Sequence, residues 1–274
     1  MSRVAPFLRW RPPGVYLFDP RTEAESSGGE RSDPPDQHVP LPRPSQPRAV
    51  MVILGLMVVI YLFTGLLSGS IFQPDLIVLI IFGAKENSLI SSGEYWRLLS
   101  ATLLHGNLIH IFFNSFALYS LGPESERIYG TGRFLALYIL AGLGGSVASY
   151  LLSPAPSVGA SGAIFGLIGG LGIFFFLNRR ALGEFGRAQV QSIVSIAVIN
   201  LIIGFSAQGI IDNWGHLGGL LVGVVVGAAL APRLIVEPLL FPPIVVRSYP
   251  NWGWSAALGV AALLLALVVL LPGA

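Results

Sequence analysis

The sequence predicts an all-α polytopic membrane protein, and three observations carry that prediction. Its 274 residues have a mean hydropathy of +0.72, with 53% hydrophobic and 11% charged residues, against roughly 25% charged residues in soluble domains. Apolar runs long enough to cross a hydrocarbon core about 30 Å thick as helices recur along the chain. Lys and Arg are divided unevenly between the intervening connections, the pattern left where cytoplasmic positive charge sets orientation.

Residues 1 to 48 are rich in Pro, Arg, Ser and acidic residues, with runs such as Ser32-Asp33-Pro34-Pro35 and Pro40-Leu41-Pro42-Arg43-Pro44. Such a segment buries too little apolar surface to fold, and it is expected to be a disordered cytoplasmic tail. A cleaved signal peptide would carry its apolar stretch nearer the start, and a transit peptide would avoid Asp19, Glu23, Glu25 and Glu30. The first long apolar run is therefore expected as a retained span, opening a membrane-embedded domain over 49–274.

Seven spans follow from hydropathy: 49–69, 103–121, 133–152, 159–177, 189–206, 213–231 and 254–272. The second carries His110 and Asn114, and the fourth and sixth carry glycines at four-residue intervals. The shorter apolar run from Asp75 to Ala84 reads as an interfacial or partly embedded segment in the first connection. Counting it as a crossing would reverse every later orientation. With the tail inside, the inner connections hold Arg127, Arg133, Arg179, Arg180, Arg187, Arg233 and Arg247, and the outer ones hold only Lys85 and Arg97. The expected topology thus has a cytoplasmic N-terminus and an external C-terminus.

Cysteine is absent, which excludes a disulfide framework, a thiolate metal site and a cysteine nucleophile. The formal net charge of +2 and a pI near 9.1 record membrane orientation in a protein of this kind. No nucleic-acid partner is expected; the bilayer is.

The remaining nucleophile of interest is Ser161, in Gly159-Ala160-Ser161-Gly162. Under the expected topology the second, fourth and sixth spans all enter from the outer face, so Ser161 and His216, near the starts of the fourth and sixth, share roughly one depth. At about 1.5 Å rise per residue, a position three residues into a helix lies roughly 5 Å below its start, within reach of outside water. A serine needs a neighbouring base to take its proton as it attacks a carbonyl, and His216 is suited to that role. The same ring can return the proton to a departing amine.

Asp212, four residues before His216, is assigned to the external connection, which leaves a Ser-His dyad. Phe165, one helical turn after Ser161, is the candidate for holding the imidazole by packing. His110 and Asn114 project from one helix face and, with the Ser161 amide, are candidates to surround a developing oxyanion. Gly162, Gly166 and Gly170 form one stripe and Gly215, Gly219, Gly223 and Gly227 another, which would let two backbones approach closely.

Each of these features also has a plainer reading. Ser161 is equally a small packing residue or cap, and His216 a buried hydrogen-bonding group. His105, His110 and Asn114 would equally form a structural network or line an ion pathway. Trp96 fits an interfacial anchor. Arg97 fits a solvated connection, and Glu126 with Arg127 either an exposed pair or a fastening of the turn after the second span.

Taken together, the motifs resemble the rhomboid family of intramembrane serine proteases over most of residues 84–231. Gly93-Glu94-Tyr95-Trp96-Arg97-Leu98 is similar to the family's first-loop signature. His105 follows, then the His110–Asn114 element and Glu126-Arg127 with Gly130. Gly159-Ala160-Ser161-Gly162 and Gly215-His216-Leu217-Gly218-Gly219 are similar to its two catalytic signatures.

The resemblance implies a six-helix core, with residues 254–272 as an added seventh helix, and a water-accessible site below the outer surface. It implies Ser161 as nucleophile, His216 as general base and acid, and His110 and Asn114 as oxyanion-stabilising groups. Gly159, Gly162, Phe165, His105, Glu126, Trp96 and Arg97 are the implied structural support. The substrates it implies are other membrane proteins, cleaved where a span unwinds near small or helix-breaking residues, with no metal or organic cofactor. Phe165 stands where some relatives have tyrosine, so stacking survives and a phenolic hydrogen bond does not.

A bacterial plasma membrane is the expected setting. The competing classes are an inactive client-binding member of the same family, which would be expected to lack the serine or the histidine, and a transporter. A transporter would place acidic or repeated polar groups through several spans.

Overall fold

The computed structural model describes residues 47–206, 211–237 and 244–274; the tail expected to be disordered lies, up to residue 46, outside the described residues. The chain opens with α1 (Arg48–Leu67). The first connection carries three short helices, α2 (Leu76–Ile81), α3 (Asn87–Ser91) and α4 (Arg97–Ser100), the last running into a 3-10 turn at Ala101–Leu103. Then come α5 (Leu108–Tyr129), α6 (Thr131–Leu152), α7 (Ser161–Leu177), α8 (Arg179–Ser206) and α9 (Asn213–Leu230). A small hairpin of β1 (Arg233–Glu237) and β2 (Ile244–Ser248) leads into α10 (Gly253–Leu270).

Five of these helices, α1, α6, α8, α9 and α10, are long and apolar enough to cross a membrane, and α7 is apolar but shorter at 17 residues. The polytopic helical architecture expected from hydropathy is the one observed. Their outward faces are apolar: Phe112, Phe113 and Phe116 on α5, like Leu258 and Leu270 on α10, are exposed. In lipid such residues need no burial, because hydrocarbon tails are as apolar as leucine.

Several boundaries differ from the hydropathy reading, each for a local reason. The second long helix starts at Leu108, not 103, because Leu104 is extended and the Asn107 side chain accepts the His110 N–H at 2.8 Å as an N-cap. It runs on to Tyr129, so Glu124, Glu126 and Arg127 lie inside the helix, and it stops at Gly130, whose φ of 77° favours glycine. The 75–84 segment folds as the short α2, capped by Asp75 on the Ile77 N–H at 2.8 Å. The fifth long helix begins at Arg179, ten residues before the expected 189, and is broken at Gly183, whose backbone is not helical. The hairpin, paired antiparallel from Arg233 opposite Ser248 to Glu237 opposite Ile244, has no hydropathy signature.

The core is built where α6, α7 and α9 meet. Leu137, Ala141, Ala163, Leu167, Val226 and Leu230 are all buried there. Glycine makes this contact possible. A Cβ on Gly145 of α6 would sit 2.7 Å from the Gly215 carbonyl oxygen and 3.1 Å from the Gly162 Cα, while one on Gly223 would land on the Gly166 backbone. The three backbones therefore touch with no side chain between them. Midway along α7, the Tyr129 hydroxyl donates to the Gly170 carbonyl at 2.7 Å, pinning α5 to α7.

A buried carboxylate fastens α1 to this core. Glu126 accepts the Ala49 N–H at 3.2 Å, the Val50 N–H at 3.1 Å and the Thr131 hydroxyl at 2.8 Å. The two N–H groups belong to the first turn of α1, where a helix has no internal acceptors for them and where negative charge is favoured.

Candidate active site

Ser161 is the first residue of α7, and the preceding strap shapes its surroundings. Gly159 has φ 129°, a region that side chains rarely tolerate, and its N–H donates to the Ala101 carbonyl at 2.9 Å. The space a Cβ would need is taken by the His110 ring, whose Nε2 lies 2.6 Å from that ideal position. Only glycine allows both the turn and the ring. Among the described residues no side chain caps α7, and a bond from the Ile164 N–H to the Ala160 carbonyl at 3.0 Å opens its ladder. The N–H groups of the first turn, Ser161 included, thus point out of the helix end unclaimed by it.

His216 lies in the first turn of α9. Asp212 caps that helix, accepting the Gly215 N–H at 2.9 Å through Oδ1, while its backbone carbonyl accepts the His216 N–H at 3.1 Å. The imidazole stacks on Phe165 with ring centroids 4.3 Å apart and planes 16° from parallel. Phe165 is one turn after Ser161 on the same face of α7, so the stack sets the imidazole on the face that carries the hydroxyl. A Cβ at Gly162 would be 3.3 Å from the Gly215 carbonyl oxygen, and one at Gly219 would meet the Gly162 backbone. Residues adjoining both Ser161 and His216 are thus in direct backbone contact. Among the described residues the ring's buried Nδ1 has no hydrogen-bond partner, and no hydrogen bond joins the ring to Ser161.

The other expected site residues divide by place. His110 sits against Gly159, with buried His105 edge-on to it at 5.1 Å. Asn114 is buried one turn further along α5, and its side-chain amide donates to the His110 carbonyl at 2.9 Å; an amide has a second N–H to offer. Trp96 is half exposed, with the Arg97 guanidinium 4.8 Å from its ring centroid.

Arg97 is not a solvating residue. It is 4% exposed and donates to the Ile80 carbonyl at 2.5 Å, the Ala84 carbonyl at 3.2 Å and Glu94 Oε2 at 2.8 Å. It thereby holds the first connection folded from within. Glu126, left open between an exposed pair and a fastening, is wholly buried and fastens α1.

Sequence reasoning missed Lys85, Asn87 and Ser157. Lys85 is buried, its ammonium bonded to backbone carbonyls of the strap before Ser161. The Ser157 hydroxyl donates to Asp212 at 2.6 Å. Their partners are carbonyls and a residue 55 positions away, which no periodicity or motif announces. The one available signal was a lone lysine closing an apolar run.

The Rhomboid domain family model matches residues 92–233, which include the first-loop signature, α5 and both helix starts described above. This chain belongs to the rhomboid family. It is 44% identical over 185 residues to Rhomboid protease GluP of Bacillus subtilis, a match covering 68% of this chain and 35% of that protein. It is 35% identical over 187 residues to RHOMBOID-like protein 5 of Arabidopsis thaliana, covering 66% and 60%. With Rhomboid-like protease 3 of Toxoplasma gondii it shares 30% identity over 208 residues, covering 75% and 78%. The match spans about a third of GluP and somewhat over half of RHOMBOID-like protein 5. With its rhomboid fold and several apolar helices, the protein is a multi-pass integral membrane protein.

Proposed function

We propose that this protein is an intramembrane serine endopeptidase that hydrolyses peptide bonds in or near the spans of other membrane proteins. The observation that supports the reading is the Phe165–His216 stack at the glycine-lined contact of α7 and α9, with Phe165 one turn after Ser161 on the same helix. Relatives named as rhomboid proteases support it.

In this mechanism Ser161 Oγ attacks the substrate carbonyl carbon while His216 takes the hydroxyl proton. The charge forming on the carbonyl oxygen is met by the unclaimed N–H of Ser161 and by His110 and Asn114; such donors commonly contribute about 10²- to 10³-fold each. His216 then protonates the departing amine, and the acyl-enzyme is released by water, with His216 again acting as base.

The catalytic unit is a dyad. Both carboxylate oxygens of Asp212 are engaged, one by the Gly215 N–H and the other by the Ser157 hydroxyl, while among the described residues His216 Nδ1 has no partner. Orientation of the ring falls to Phe165 through stacking. Substrate selection follows from access, since a helical span must unwind to present a carbonyl to Ser161, and small or helix-breaking residues lower that cost. The orientation that fits the arginine distribution puts the N-terminus inside and residue 274 outside. Reporters fused after residues 180 and 274 should then lie on opposite faces, and finding them on one face refutes that topology.

The deciding experiment is cleavage of a panel of single-span substrates by purified protein in liposomes. Ser161→Ala and His216→Ala should each abolish cleavage while the protein keeps its thermal transition. Cleavage that survives both substitutions eliminates the dyad.

A further inference from the structure

Lys85 is among the most deeply buried charged groups of the described residues, at 1% exposure, and the mechanism above makes no use of it. Burying an ammonium is costly unless its hydrogens find acceptors. Here they find the Ser153 carbonyl at 2.7 Å and the Ala155 carbonyl at 2.8 Å. Asn87, two residues on, also donates to the Ser153 carbonyl, at 3.2 Å. The Lys85 backbone pairs with Ser157 in an antiparallel bridge, with N–H to carbonyl distances of 2.9 and 3.0 Å. The first connection thus grips the strap 153–160, which delivers Ser161, at several points.

The grip continues across to α9. The Ser157 hydroxyl donates to Asp212 Oδ2 at 2.6 Å, and Asp212 Oδ1 accepts the N–H of Gly215, the residue before His216. A continuous set of hydrogen bonds therefore runs from Lys85, through the strap, to the helix turn that holds the imidazole. The carboxylate of Asp212 also favours the Lys85 ammonium by charge attraction.

We propose that Lys85, Ser157 and Asp212 form a strap lock, positioning residues that fix the start of α7 against the start of α9 and so set the distance between Ser161 and His216. This inference rests on the dyad reading. Glycine contacts bring the two helices together along their length, but the helix starts lie at the outer end, where the strap is partly exposed at residues 154–156. The lock closes that end. Its effect falls on the chemical step, since none of the three residues is required to touch substrate.

The test measures kcat and KM of the purified full chain in liposomes on a single-span reporter, with thermal melts in parallel. Ser157→Ala should lower kcat about five- to twentyfold with KM within twofold, part of the roughly 100-fold that a 1 Å misplacement costs. Ser157→Thr, which keeps the hydroxyl, should restore kcat to within about twofold, as expected if the hydrogen bond is what matters. Ser157→Ala combined with Asp212→Ala should be no slower than Asp212→Ala alone, because both break one link.

A wild-type kcat in Ser157→Ala overturns the lock, and so do losses that multiply in the double variant. A loss confined to KM also overturns it, by making the strap a substrate contact only. Ser161→Ala run alongside separates the two readings. Cleavage there refutes the dyad, whereas its absence together with an undiminished Ser157→Ala refutes the lock alone.

Discussion

Gly219→Ala is the sharpest probe of how the site is assembled, because a single methyl separates contact from collision. On α9, one turn after Gly215, an added Cβ would fall on the Gly162 carbonyl and 2.9 Å from the Gly162 Cα. Ordinary carbon–carbon contact is about 3.5 to 4.0 Å, so α7 and α9 would have to separate by about 1 Å at this level. Overpacking of this kind costs about 1–3 kcal/mol.

The larger consequence is catalytic. Gly162 adjoins Ser161, and a 1 Å misplacement of reacting groups costs on the order of 100-fold in rate. We expect kcat in the liposome cleavage assay to fall about 30- to 100-fold and the melting transition to drop. Gly259→Ala on α10 is the control: nothing lies within 4 Å of its ideal Cβ, and replacing an interior helical glycine by alanine gains about 0.5–1 kcal/mol. Gly219→Ala with wild-type kcat and melting would refute the claim that bare backbone contact sets the proposed dyad.

Two further predictions address the scaffold. Glu126→Gln leaves one oxygen for the two N–H groups at the start of α1 and turns an amide N–H toward the other, so it should destabilise the fold by about 1–3 kcal/mol. The check is a lowered melting transition together with earlier proteolysis between α1 and α2. Unchanged melting would show that α1 is held by its apolar face alone.

Lys85 gives a pH dependence of defined sign. Burial, opposed by Asp212 and Glu86, brings its ammonium down from 10.5 to about 8. Between those values the unfolded chain binds more protons than the folded one, so stability rises with pH across that window, and the gain is lost as pH falls through 8. Relative to Lys85→Met, wild-type melting should therefore improve from pH 8 to 10. A pH-independent difference would refute the assignment.

The sequence by itself determined the membrane class, the long helices to within a few residues in most cases, and the two signatures that carry Ser161 and His216. Those rest on local properties: summed hydropathy over a span, and short motifs that stand out by their order and spacing along the chain. It also placed Phe165 and the glycine stripes on definite helix faces, since a helix repeats every 3.6 residues.

The tertiary structure alone decided which faces meet and what the polar groups bond to. Hydropathy cannot separate core from lipid-facing positions, because both are apolar when hydrocarbon replaces water. Arg97, Lys85 and Asn87 bond to backbone carbonyls, which every residue possesses, so nothing in the side-chain order marks their partners. The sequence assigns Asp212 to the external connection, and only its two engaged oxygens show that it caps α9 and receives Ser157. Long-range pairing of this kind is fixed by where the helices pack, a property of the assembled bundle and not of any one segment.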